Sequence, residues 1–194
     1  MRALTYYVAC TVDGFIAAPD GSFDAFLSEG PHFADLFAEC PETVPGHLRA
    51  LVGVPADAAN RHFDTVLMGR HTYEVGLAVG ATSPYAHMRQ YVFSRTMREP
   101  PDPAVRLVRG DALDAVRQLK REPVGKGIWL CGGGALAAAL LPEIDELVLK
   151  VNPILLGAGI PLFAGAPSTR VALEPAGGRS YENGFMLVRY RLNR

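Results

Sequence analysis

Three stretches of the chain place glycine, hydroxyl or guanidinium groups directly after an apolar run, a pattern that suits an anionic ligand. The first is IWLCGGGALAAALL (128–141), in which Gly132, Gly133 and Gly134 separate a strand-like run from an Ala/Leu-rich helical one. Glycine lets backbone approach a ligand closely, and a helix that follows offers unpaired N–H groups and the positive end of its dipole, so a pyrophosphate would be stabilised there. Gly132, Gly134 and Ala137 also fit a loose G-x-G-x-x-A. A Rossmann unit, however, opens its domain and carries an acidic residue at the end of its next strand, whereas Asp145 and Glu146 stand at the start of one. A tight turn that packs helix on sheet accounts for the same glycines.

The second stretch, TVLMGRHTYE (65–74), ends an apolar run at Gly69 and delivers Arg70, His71 and Thr72 to a helix start. Arginine presents a planar fork of donors and threonine a cap and a hydroxyl, which suits an anion at that place. An ordinary capped helix with a solvated arginine reads the same way. The third, YVFSRTM (91–97), repeats the theme with Ser94, Arg95 and Thr96. Ligands in open α/β sheets gather at the carboxyl ends of strands, so the three stretches make one site if they share a sheet edge.

Other chemistries are excluded by pattern. The chain contains no G-x-x-x-x-G-K-[ST], H-E-x-x-H or G-x-S-x-G. His32, His47, His62, His71 and His87 lack metal-ligand spacing and read as surface or loop residues, so no metal is expected. Cys10, Cys40 and Cys131 include no C-x-x-C pair and read as small buried hydrophobes. A formal charge of −1 excludes a bulk polyanion, nucleic acid included, as the partner. The opening MRALTYYVACTVDG is too briefly apolar for a signal peptide, and no run approaches the roughly 18 apolar residues of a membrane span. The expectation is a soluble, reduced, cytoplasmic protein.

The elements that must position these residues follow from periodicity. Strand patterns cover Leu4–Cys10, Thr65–Met68, Tyr91–Phe93, Arg106–Val108, Ile128–Cys131 and Glu146–Val151. Two more, Val171–Glu174 and Phe185–Leu192, are separated by Gly177-Gly178 and Asn183-Gly184. Phe26, Leu27, Phe33, Leu36 and Phe37 suggest two or three short helices between Asp24 and about Asn60, interrupted by Pro41, Pro45 and Pro55. Further helices are predicted from Thr72, from an Asp111 cap through Lys120, and over Ala135–Leu141. Strands alternating with helices and then a strand-rich end describe one domain over 1–194, with a mixed sheet and an antiparallel edge.

With these segments in order, the chain resembles the dihydrofolate reductase superfamily, and within it the riboflavin-biosynthesis reductase-like branch. The resemblance rests on VACTVDGFIAAPDG, TVLMGRHTYE, YVFSRTM, IWLCGGGALAAALL, NPILLGAGIPLF and YENGFMLVRYRL, which together span nearly the whole chain. It implies a mostly parallel central sheet of about eight strands flanked by helices, a bound NADPH, a cis peptide between Gly132 and Gly133, and a homodimer, for which the apolar residues of the late strands Glu146–Leu156 and Phe185–Leu192 would supply a shared face. It also implies roles: Ala9 and Ile16 at the nicotinamide through backbone groups, and Gly69, Arg70, His71 and Thr72 at phosphates. Ser94 and Arg95 would meet the adenosine 2′-phosphate, and Gly132, Gly133, Gly134, Ala135 and Leu136 would carry the pyrophosphate. Dihydrofolate reductases place an acidic residue on the helix after the first loop; here Asp24, Glu29 and Asp35 all compete for that place.

The reading that results is an NADPH-dependent reductase acting on a C=N or C=O bond of a small pterin- or pyrimidine-like heterocycle. Asp13 is the candidate for proton delivery or substrate orientation. Phe15, Phe26, Tyr73 and Val151 are candidate substrate walls, and each serves equally as core. The alternative is a noncatalytic nucleotide-binding or ligand-sensing protein on the same fold.

Overall fold

The computed structural model describes residues 1–166 and 170–193. In chain order the elements are β1 (Leu4–Thr11), β2 (Phe15–Ala17), α1 (His32–Glu39), β3 (Phe63–Gly69), α2 (Arg70–Ala78), β4 (Arg89–Phe93) and β5 (Val105–Val108). They continue with α3 (Ala112–Arg121), β6 (Gly127–Gly132), α4 (Gly134–Leu140), β7 (Glu146–Asn152), β8 (Ile160–Pro161), β9 (Ala172–Ser180) and β10 (Met186–Asn193). Eight strands form one sheet in the order β5-β4-β3-β6-β1-β7-β10-β9, while β2 and β8 pair separately. Every pair from β5 to β7 is parallel, and β10 lies antiparallel between β7 and β9. This is the architecture that the resemblance implies.

Alternation along the strands makes two cores. Tyr7, Val66, Met68, Val92, Trp129 and Val148 face one way and pack with Leu36 of α1 and Tyr73 of α2. Tyr6, Val8, Leu67, Tyr91, Leu130 and Leu147 face the other way, under Val116 and Leu119 of α3 and Leu136, Ala137 and Leu140 of α4. A parallel sheet covered on both faces requires such apolar runs, and β1 has seven of its eight residues buried. Asp111 caps α3, its carboxylate accepting from Asp114 N at 3.0 Å. At the amino ends of the strands Arg2 bonds Asp64, Glu122 at 2.5 Å and Thr65 Oγ1 at 2.8 Å, tying the start of β1 to β3 and to the end of α3.

Three expectations are corrected. Between Asp24 and Asn60 the described helical structure is α1 and a single 3-10 turn, Pro41–Thr43. Pro31 precedes α1, and around Pro45 and Pro55 the backbone makes isolated turns, Leu48 N to Pro45 O and Ala58 N to Pro55 O, rather than a helical ladder. Gly177 and Gly178 do not end β9 but lie within it: Gly177 adopts φ +113 beside a register shift opposite Arg189 and Tyr190. Gly178 passes so close to β10 that a Cβ would stand 2.8 Å from Leu187 O. His32, expected at the surface, is buried and stacks on Phe185 with ring centroids 3.9 Å apart.

Candidate functional site

Because β5, β4, β3, β6 and β1 run parallel, their carboxyl ends meet on one edge, and a cleft of about 720 Å³ opens there. Three glycine- or arginine-bearing strand ends that are remote in sequence thereby become neighbours. Ile16, Gly69, Arg70, His71, Thr72, Ser94, Arg95, Gly132, Gly133, Gly134, Ala135 and Leu136 all line the cleft.

The glycine segment forms its centre. The Gly132–Gly133 peptide is cis and Gly132 has φ +151, a conformation that L side chains rarely adopt. A Cβ on Gly132 would lie 3.4 Å from Thr72 Oγ1, and one on Gly133 would lie 3.6 Å from the same atom and 3.9 Å from Ile16 Cδ1. One on Gly134 would overlap Pro161 O, so contact excludes a side chain at Gly134, whereas at Gly132 the positive φ disfavours one. Ala137 N donates to Gly133 O at 3.0 Å, which opens the ladder of α4 and leaves the N–H groups of Gly134, Ala135 and Leu136 ahead of it.

Two basic strand ends flank this segment. Arg70 Nη1 donates to Thr96 Oγ1 at 3.1 Å, which links the end of β3 to the end of β4, and Arg70 and His71 both contact Glu74. Ser94 Oγ accepts from Thr96 N and Met97 N at 3.3 and 3.0 Å, so this hydroxyl shapes its own turn. Arg95 is exposed and has no hydrogen bond or ion pair among the described residues. Arg109, Gly110 and Asp111 after β5 line the same cleft. In the sequence Asp111 reads only as a helix cap, while Arg109-Gly110 repeats the pattern of the other strand ends.

The remaining candidates stand elsewhere. Asp13 is outside the cleft lining and exposed; its carboxylate accepts from Thr11 Oγ1 at 2.6 Å, Gly157 N at 2.7 Å and Leu156 N at 3.1 Å. These bonds, Thr11's foremost, lower its pKa below the ordinary carboxylate value, so it is ionised at neutral pH and acts as a loop clamp rather than a proton store. Tyr73 is fully buried, its hydroxyl donating to Thr82 O at 2.6 Å; it is core. Phe15 pairs with Pro161 between β2 and β8, Val151 pairs with Cys10 and Met186 inside the sheet, and Phe26 closes a turn onto Phe23 O. Ala9 lies in β1 opposite Lys150. Asp24 and Glu29 are exposed, and Asp35 bonds Arg179 and Tyr181 Oη.

The floor of the cleft includes Cys131 and Tyr85, which the sequence did not single out. Burial pushes the Cys131 thiol up to about 11, so it is not a thiolate nucleophile. Away from the cleft, Glu39, Cys40 and His62 bring ligand atoms within 4.8 Å of one another. Burial raises the Cys40 thiol to about 12, against the deprotonation that a metal requires. No helix among the described residues is long and apolar enough to cross a membrane.

Comparison with known proteins agrees with this geometry. Residues 2–187 match the model of the RibD C-terminal domain. The chain is 33% identical over 168 residues to the uncharacterized protein YwjB of Bacillus subtilis (strain 168), covering 84% of this chain and 83% of that one. It is 27% identical over 206 residues to the uncharacterized protein YyaP of the same organism, covering 99% and 96%. A protein of Shewanella sp. PV-4 named for riboflavin biosynthesis superposes with a TM-score of 0.72 at 24% identity, covering all of both chains. The diaminohydroxyphosphoribosylaminopyrimidine deaminase/5-amino-6-(5-phosphoribosylamino)uracil reductase of Thermotoga maritima superposes at 0.66 and 15% identity, covering 99% of this chain and 57% of its own. These structural likenesses speak for a reductase-like fold, and the sequence match for the family: the chain belongs to the RibD C-terminal domain family.

Proposed function

We propose that the protein is an NADPH-dependent reductase that transfers hydride to a C=N or C=O bond of a small pterin- or pyrimidine-like heterocycle. The observation that carries this reading is the meeting of Gly132–Leu136 with Arg70, Thr72 and Arg95 in one cleft at the carboxyl edge of a parallel sheet. The residues present fit the cofactor. Side-chain-free backbone at Gly132 and Gly133 admits a pyrophosphate at close range, the N–H groups of Gly134, Ala135 and Leu136 lie outside the helix ladder, and Arg95 has a guanidinium with no hydrogen-bond or ion-pair partner among the described residues.

In this reading Gly132–Leu136 and Thr72 hold the pyrophosphate, Arg70 and Arg95 favour the extra 2′-phosphate, and Ile16 and Ala9 border the nicotinamide. The bound dihydronicotinamide supplies the hydride. The chain's own contribution is orientation, exclusion of water and a proton for the reduced bond. Fluorescence titration with NADPH and NADH, followed by NADPH absorbance against a panel of pterins, pyrimidines and simple carbonyl compounds, tests it. Tighter binding of NADPH and its oxidation by a panel member support the reading. Absence of NADPH binding overturns it, and binding without oxidation by any member favours a noncatalytic nucleotide-binding protein.

A further inference from the structure

The chain has three lysines, and two are tied down. Lys120 Nζ donates to Glu143 O at 2.8 Å and pairs with Asp145 at 2.8 Å, and Lys126 Nζ donates to Arg61 O at 3.3 Å. Lys150 Nζ has no hydrogen bond or ion pair among the described residues; its contact is the ring of Tyr7, 4.5 Å from the centroid.

Lys150 is not among the residues that line the cleft, but its charge reaches Cys131 on the cleft floor, and the sheet sets it beside Ala9, which borders the nicotinamide in the proposed reading. Lys150 of β7 is paired with Ala9 of β1, and paired residues of neighbouring strands project from the same face. Val148, two residues earlier, packs with Leu36 of α1, so Lys150 rises from the α1 side of the sheet. The groups that its charge reaches are Cys131 of β6, Cys10 of β1, Cys40 after α1 and His32 in α1. None is an anion: burial pushes Cys10 and Cys131 up to about 11 and Cys40 to about 12, and it lowers the pKa of His32. Desolvation without a counter-ion depresses the pKa of Lys150 itself. A cation held in this way is stabilised by any acceptor atom brought to it.

We propose that Lys150 faces the substrate, binding a carbonyl oxygen or imine nitrogen and protonating that atom as hydride reaches the adjacent carbon. The proposal rests on the reductase reading and narrows its substrate to uncharged or anionic acceptors, because a permanently cationic ring would meet the ammonium with like charge. The step balances. The C=X π pair takes a proton from Nζ to form X–H, the carbon gains C–H from the reduced nicotinamide, the cofactor is oxidised and the substrate reduced, and neutral Lys150 recovers its proton from water.

Lysine labelling with pyridoxal 5′-phosphate and borohydride, mapped by mass spectrometry, tests the site without turnover. The aldehyde condenses with the neutral amine, so a depressed pKa speeds labelling by about tenfold for each unit. The expected result near about pH 8 is labelling of Lys150 at least about tenfold faster than of Lys126, with Lys150→Met retaining the wild-type Kd for NADPH. For any compound that the wild type reduces, kcat should fall as pH rises through the pKa of Lys150. That fall should move to higher pH in Lys150→Arg, and Lys150→Met should lose about 100-fold in kcat, typical of a lost general acid. Labelling of Lys150 no faster than Lys126, or wild-type turnover by Lys150→Met, overturns the proposal. NADPH binding with slow Lys150 labelling removes only this role, whereas fast labelling in a chain that binds no NADPH removes the reductase reading and the proton transfer with it.

Discussion

Asp13 and Gly157 are joined by a 2.7 Å hydrogen bond from the Gly157 N–H to the aspartate carboxylate, which ties the turn after β1 to the loop after β7 across 144 positions of sequence. Leu156 N adds a second bond at 3.1 Å, and Thr11 Oγ1 holds the other carboxylate oxygen. An acid bonded in this way is kept ionised, so its role is to hold together the loops that flank Ile16.

Asp13→Asn should therefore loosen both loops. Limited proteolysis between Thr11 and Phe15 and around Gly157 should speed up several-fold, because an amide presents one acceptor oxygen where two are used. The pKa of Asp13 is lowered on folding, so its contribution is full above the unfolded value of 3.8 and is lost as pH falls through the lower folded value. The gap in melting temperature between wild type and variant should be present at neutral pH and close in acid below that value.

Arg95→Ala should separate the two nicotinamide cofactors. One charge-assisted hydrogen bond is worth about 1.5–3 kcal/mol, so the Kd for NADPH should rise about 10- to 100-fold while that for NADH moves by less than about twofold. Equal losses for both cofactors in a fluorescence titration would remove Arg95 from the 2′-phosphate.

Gly134→Ala probes the close approach of α4 to β8. The new Cβ would overlap Pro161 O and stand 3.2 Å from Ala164 N, both backbone atoms that cannot swing away. A destabilisation on the order of 3 kcal/mol is expected, as for severe overpacking. Denaturant titration checks it, and a cost near zero would mean that the segment around Pro161 yields freely.

Tyr73→Phe distinguishes core from site. Loss of the bond to Thr82 O should cost about 1 kcal/mol of stability. The KM for any compound that the wild type reduces should be unchanged, and a raised KM would return Tyr73 to the substrate wall.

The nine residues of β9 are all exposed in the single chain, and Met186 on its neighbour β10 is 43% exposed. An edge strand so uncovered is a template for further pairing or packing. We propose that two copies associate through β9 and β10. Sedimentation at micromolar concentration should give twice the 20.9 kDa chain mass, and a single species at the chain mass would refute it.

The strands and the glycine and arginine strand ends were legible because each is a local pattern. β1 reads as a strand because apolar β-formers run with little interruption, and Gly132–Gly134 reads as a backbone site because glycine lets the backbone approach a ligand closely. Residues chosen for type alone fared differently. Asp13 and Tyr73 have side chains suited to chemistry, but one is bound to Gly157 and the other to Thr82, and neither partner is marked by spacing. Lys150 sits in an ordinary strand pattern; the pairing of β7 with β1 sets it beside Ala9, 141 positions away in the chain. Periodicity is set by neighbouring residues and survives in the sequence, whereas the surroundings of a charge are set by strand order and register, which exist only once distant segments pack.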